Sequence, residues 1–449
     1  MKYILPSLLY FFIISCAQAQ EDNMAIKLDS LLAAKLPADG PGASILVARQ
    51  GKIIYQNAIG KADIQLNVEM QPGMVFQLAS ITKQFTAIAI LQLYESGKLK
   101  LKDSIQQYLP DYPSYEKPIT IENLLTHTSG IPDYMQLNFS FPNLERLDFS
   151  PKELIDSFKY RPLQFTPGTA YRYSNSGYFL LGYIIQKITG LSYGDYIKKN
   201  ILTPLDLSHT FLDEGNNIIP GGVQGYQIID NKLLRADYWS PSIAYSAGVL
   251  LSNATDLFKW NEALKKYKLV KRETLEKAWT PFILSNGTVV NYGYGWSIST
   301  IDSSLCIYHS GAMNGFLTQE SYYPAEDIYI VVLCNSQQAP RDEITAAISK
   351  IALGKNNIAD FRPDDKLIAT YLGTYQLTGT KRTIIIVKEK GMIAMKISGQ
   401  QPVLIEFEND NRFHIMNVPD ASGVFESANG KVQRLVINQN GKFIWEKIK

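Results

Sequence analysis

A chain of 449 residues that is 46% hydrophobic can bury a large core and more than one domain. A formal charge of +2, with no dense run of Lys and Arg, excludes the electrostatic footprint of a nucleic-acid binder. Three cysteines and four histidines are scattered, and His209 and His414 have no Cys, Asp or Glu at ligand spacing, so no metal site is expected.

Residues 1–19 read as a secretory leader: Lys2 near the start, an apolar run from Tyr3 to Ile14, then Ala17-Gln-Ala19 as a small-x-small cleavage site. The run is too short to span a bilayer. Ile13-Ile14-Ser15-Cys16 also resembles a bacterial lipobox, which would lipidate Cys16 and anchor the chain at a membrane. The expected mature protein is exported, periplasmic or secreted. Residues 24–36 then read as a helix, and Ala43 to Ala48 with Lys52 to Ile59 as a hairpin around Arg49-Gln-Gly51.

A mostly helical region follows from about 75 to 285, and it opens on Ser80-Ile-Thr-Lys83. Positions three apart share a helix face, so the Lys83 amine can reach the Ser80 hydroxyl, a nucleophile with its base attached. Chance alone supplies roughly two Ser-x-x-Lys in a chain this long. The second, Ser114-Tyr-Glu-Lys117, lies between Pro113 and Pro118, where an extended loop would separate the two side chains. The residues after Ser80, from Phe85 to Tyr94, form a nearly uncharged helix expected to be buried on most sides. Burial would lower the Lys83 pKa into the range of a working base. Ser80 as a simple N-cap followed by a solvated lysine fits these four residues equally well.

Farther along, Pro167-Gly168 marks a turn, and Tyr173-Ser-Asn175 falls on a loop entering an apolar helix. Tyr55-Gln-Asn57 repeats that triplet in a strand-like run, so the triplet alone is weak. His127 reads as a cap on the helical run Ile121 to Leu125. The aromatics Tyr134, Phe139, Phe141, Tyr226, Tyr238, Trp239 and Tyr245 read mostly as packing, with an acyl pocket as the sharper use. Strands return at Tyr294 to Ile301, Ser304 to Ser310, Phe316 to Tyr323 and Ile328 to Cys334, and Asp342 to Leu353 closes with a helix. Within them, His309-Ser310-Gly311 leads into a glycine that would let a ligand approach the backbone. Cys306 and Cys334 sit on strands that could be neighbours, as one disulfide or two buried thiols. The polar stretch 354–365 reads as a linker, and eight short alternating runs from 366 to 449 suggest a small antiparallel barrel or sandwich.

Ser-x-x-Lys, Tyr-x-Asn and a basic-x-Gly triplet, in that order, resemble the three signatures of the serine β-lactamase and penicillin-binding-protein superfamily, in its class C β-lactamase, D-alanyl-D-alanine carboxypeptidase and esterase branch. The stretches Phe76 to Ser80, Leu124 to Asp133, Gln164 to Gly168 and Ser246 to Ser252 share the resemblance. It implies an α+β domain over 24–353, an antiparallel sheet flanked by helices with an inserted helical lobe, and a lipocalin-like C-terminal domain over 366–449. It also implies roles. Ser80 would attack a carbonyl and carry the acyl group, and Lys83 with Tyr173 would move the proton. The Tyr173 pKa would be lowered by nearby ammonium groups, and Asn175 would orient Lys83 and the substrate amide. The backbone amides of Ser80 and Ala312 would form an oxyanion hole, with His309, Gly311 and Tyr226 touching substrate.

No cofactor is implied. The implied partner is a small-molecule or peptide substrate, cell-wall derived in one reading, and the implied activity is that of a serine hydrolase acting through an acyl-enzyme on esters or D-amino-acid-containing peptides. A sensor that acylates without efficient turnover is the alternative. His309 stands where the best-known members carry Lys, and a neutral imidazole would not hold a substrate carboxylate as a permanent cation does.

Overall fold

The computed structural model describes residues 24–136, 144–301, 303–354, 363–389, 392–397, 402–407, 410–415, 421–428, 431–438 and 442–448. The leader with Cys16, the residues Phe139 and Phe141, and most of the expected linker lie outside the described residues. By their internal contacts the rest separate into two compact units. One runs to Ser299 and includes Ser304–Ser349; the other holds Thr300–Ser303 and the chain from Lys350 onward.

The first unit is built on a six-stranded sheet in the order Ser297–Ile301, Ser304–Met313, Phe316–Tyr323, Ile328–Cys334, Ala43–Arg49, Lys52–Ile59. The first hairpin turns at Gln50 and Gly51, both left-handed (φ 51° and 74°), the geometry of a two-residue turn that matches strand twist. Its inner strand, Ala43–Arg49, pairs antiparallel with Ile328–Cys334 and so joins the start of the unit to its end. These two strands are apolar apart from Ser44 and Arg49 because both faces are covered, and every residue of Ile328–Cys334 is buried. The helix Ala254–Lys265 packs on them from one side.

The helical lobe centres on Thr82–Glu95, where every residue from Thr82 to Leu91 is buried, as its uncharged composition predicts. Phe85 stacks on Trp260 with ring centroids 4.0 Å apart. Asn175–Thr189 and Pro241–Gly248 pack against it. Those two helices cross at Gly182, where an added Cβ would lie 2.1 Å from Ser246 Oγ, so only glycine permits the approach.

Three expectations change here. Cys306 and Cys334 are both free and buried, and the strand Phe316–Tyr323 lies between theirs, so they are not neighbours. The strand expected to stop at Ser310 continues to Met313, because Gly311, Ala312 and Met313 still pair with Thr318, Leu317 and Phe316. A helix, Asp365–Tyr371, precedes the C-terminal strands, capped by the Asp364 carboxylate accepting from Leu367 N–H at 2.7 Å.

In the second unit the eight expected runs close into an antiparallel barrel, with Gly373–Leu377 hydrogen-bonded to Lys442–Lys447. Closure removes free strand edges. Its interior is filled with aromatics: Tyr371 stacks on Phe425 at 4.2 Å, and Phe413 and Tyr375 are fully buried beside them. Among the described residues no helix of either unit is long and apolar enough to cross a membrane.

Candidate active site

The strand Phe76–Gln77 turns into the helix Thr82–Glu95 through a single 3-10 turn, Ala79–Ile81. Ala79 is left-handed there (φ 49°), a strained conformation for a residue with a Cβ. Two bonds hold the turn: Leu78 N–H donates to Leu250 O (2.8 Å), and Thr318 Oγ1 donates to Leu78 O (2.8 Å). Ser80 therefore sits in the turn and is not the N-cap, a place Ile81 takes without a side-chain bond. Gly311 explains the tight fit, since a Cβ on it would lie 2.1 Å from Leu78 O. The glycine lets the Ser80 turn approach the strand closely. The competing Ser114-Lys117 pair lies on irregular chain.

Lys83 is fully buried while Ser80 keeps partial exposure. The Lys83 Nζ lies 3.0 Å from Ser80 Oγ and donates to Asn175 Oδ1 (2.8 Å) and Ala247 O (2.8 Å). Burial lowers its pKa to about 7, against the opposing pull of the Asp133 carboxylate. A neutral amine has two N–H groups and one lone pair. Asn175 Oδ1 and Ala247 O can only accept, so the lone pair is left for the Ser80 hydroxyl proton. Ala247 O reaches Lys83 from the segment after Tyr245, whose backbone leaves the helical region at φ 39°, ψ −136°.

Tyr173 and Asn175 lie where the second triplet predicts. Asn175 opens the helix Asn175–Thr189, and its Nδ2 donates to Asp133 Oδ2 at 3.0 Å. Asp133 also accepts from Met135 N–H (3.2 Å), and burial raises its carboxyl above the usual range. Asn175 thus orients Lys83 and is itself oriented by Asp133. The Tyr173 hydroxyl faces the Ser80 side chain, and the ring centroid lies 4.9 Å from Lys83 Nζ. Its pKa is not lowered as expected. Burial raises it, by more than the neighbouring Ser80 lowers it. Tyr173 is a protonated phenol.

At the third triplet His309 is buried, with Nδ1–H donating to Ser310 O (2.7 Å) and Nε2 accepting from the Tyr292 hydroxyl (3.0 Å). Burial, then the nearby Lys83, lowers its pKa to about 3, so the ring is neutral and both nitrogens are spent on the protein. Arg341, the other cation felt there, donates through Nη1 to Gly311 O (2.9 Å) and Thr318 O (3.1 Å), and through Nε and Nη2 to Asp342 Oδ1. Ala312 follows Gly311 on the strand and is exposed. Tyr226 is not part of this group. It is buried in the strand Tyr226–Ile229, its hydroxyl accepts from Ile64 N–H (2.7 Å), and its own N–H donates to Asn335 O.

Sequence reasoning missed Asp133, Tyr292, Ala247 and the use made of His127, which is a helix stop (φ 57°) but also packs its ring 4.2 Å from that of Tyr173. The one signal for Asp133 and His127 is that both lie in the stretch Leu124 to Asp133. Tyr292 and the Ala247 carbonyl come from lone residues that only the fold brings in.

The chain is similar to known proteins along most of its length. The chain is 28% identical over 403 residues to penicillin-binding protein 4* of Bacillus subtilis strain 168, covering 83% of this chain and 87% of the relative. It superposes on the octameric penicillin-binding protein homologue from Pyrococcus abyssi with a TM-score of 0.67 at 24% identity, over 94% of this chain and 99% of the other. The D-amino acid amidase from Ochrobactrum anthropi SV3 superposes with a TM-score of 0.64 at 23% identity, over 76% of this chain and all of the other. Residues 29–354, the stretch that carries all three triplets, match the Beta-lactamase family, and to that family this chain belongs.

Proposed function

We propose that the protein is a serine hydrolase that works through an acyl-enzyme on Ser80, on esters or on amides of D-amino-acid-containing peptides. The observation that carries the reading is the Lys83 amine, whose two fixed acceptors leave one lone pair facing the Ser80 hydroxyl. Lys83 takes the hydroxyl proton as Ser80 Oγ attacks the carbonyl carbon. The Ser80 and Ala312 amides hold the developing oxyanion. Tyr173, a protonated phenol, passes its proton to the leaving group, and the phenolate then takes back directly the proton that Lys83 removed from Ser80. The likeness in fold to a D-amino acid amidase supports the amide branch.

A neutral His309, and an Arg341 occupied by two carbonyls and Asp342, leave the third triplet without a cation for a carboxylate. This favours uncharged acyl groups over β-lactams or carboxypeptidase substrates. The leader-like residues 1–19 support export, with Cys16 as an anchor if lipidated. Fluorophosphonate labelling followed by time-resolved intact mass tests the reading. Label on Ser80, with acyl esters that turn over, is the expected result. Stable acylation without release would favour the alternative of a penicillin-binding sensor, and label on any other serine would sink the assignment.

A further inference from the structure

We infer that His127 is a positioning residue for Tyr173, and through it for proton delivery to the leaving group; this rests on the roles proposed above for Ser80, Lys83 and Tyr173. Two hydrogen bonds from one residue bracket the phenol. Arg172 N–H donates to His127 O (3.0 Å), and Ser174 N–H donates to His127 Nδ1 (3.1 Å). The backbone on each side of Tyr173 is thereby fixed by His127. The imidazole also supports the ring, with centroids 4.2 Å apart, and is itself packed against Tyr292 (4.7 Å) and Tyr178 (5.1 Å).

A helix stop does not require this side chain. His127 is left-handed with φ 57°, a position where Gly or Asn is the usual occupant, and the bond to Ser174 is what imidazole adds. Since Nδ1 accepts, the proton of the neutral ring is on Nε2, which is buried and without a hydrogen-bond partner. The ring therefore passes no proton of its own, and its effect runs through Tyr173.

Two esters that differ in their need for a proton test the inference. The leaving group of p-nitrophenyl butyrate departs as a stable phenolate, whereas ethyl butyrate needs its ethoxide protonated. His127→Phe keeps a ring in the stack but offers Ser174 no acceptor; His127→Asn keeps an acceptor and suits the left-handed backbone. His127→Gly suits that backbone too and lacks the acceptor. Rates are divided by the fraction of chains labelled at Ser80 by fluorophosphonate, so that misfolded protein does not imitate the effect. His127→Phe and His127→Gly are each expected to lower kcat/KM for the ethyl ester about tenfold more than for the nitrophenyl ester, a small part of what general acid catalysis supplies. His127→Asn is expected to return that ratio to near the wild-type value. An equal fall for both esters, or a His127→Asn variant with the ratio of His127→Phe, overturns the positioning role alone. Wild-type protein unlabelled at Ser80, or Tyr173→Phe with an unchanged ratio, overturns the underlying reading and the His127 role with it.

Discussion

A lysine that loses its charge inside the protein is the residue on which the proposed chemistry turns. Because burial lowers the Lys83 pKa to about 7, the protonated amine predominates below that pH and cannot accept the Ser80 proton. Values of kcat/KM for a neutral ester are expected to rise about tenfold per pH unit below pH 7 and to level off above it. His309, lowered to about 3 by burial, adds no second limb near neutrality. A profile that falls between pH 6 and 8 would contradict a lysine base. Ser80→Ala and Lys83→Ala should each remove nearly all turnover, since the two act as one unit. Gly311→Ala should also be costly, because the added methyl meets Leu78 O at 2.1 Å and Thr318 Oγ1 at 2.4 Å, both already bonded to each other. We expect a loss of about 1–3 kcal/mol in denaturant unfolding, together with slower Ser80 labelling.

Elements matter here mainly as holders of a few groups. The loop after the helix Ile121–Leu125 delivers Asp133 to Asn175, and Asn175 to Lys83. Asp133→Asn keeps an acceptor for Asn175 Nδ2 but removes the anion that favours the charged amine. The Lys83 pKa should then fall, and the acid limb of the pH profile should move to lower pH, which the same ester assay reads. An unmoved limb would mean that Asp133 acts only as a hydrogen-bond partner. Ser80, Lys83, Tyr173 and Asn175 were legible in the sequence because each pair is local: one helical turn, or one residue, separates partners. The barrel strands were legible through alternation and turn residues, and the central sheet strands as short apolar runs bounded by turn residues. Asp133, Tyr292 and the Ala247 carbonyl were not, because their partners lie 42, 17 and 164 residues away and no spacing rule links them. The Tyr173 pKa was misread for a related reason. Its direction depends on how deeply two groups are buried together, which a triplet does not record.

At the scale of the whole chain, two units carry two separate cores, and every residue placed in the chemistry belongs to the first. A chain ending at Gly354 is therefore expected to acquire fluorophosphonate at Ser80, while its rates on larger peptides report what the barrel adds. Within the barrel, Phe425→Ala should cost that unit about 3–5 kcal/mol, because Phe425 is fully buried among Tyr371, Tyr375, Phe407 and Phe413. Hydrogen exchange of the barrel amides would register the loss. The two buried thiols of the first unit have a use of another kind. Burial pushes both Cys306 and Cys334 up to about 12, so neither reacts while the strands around it stay shut. They stand on either side of the strand Phe316–Tyr323, one on the strand that carries His309 and one beside the first hairpin. An alkylating reagent read out by peptide mass thus becomes a pair of clocks built into the sheet, timing separately how often each flank opens and which gives way first.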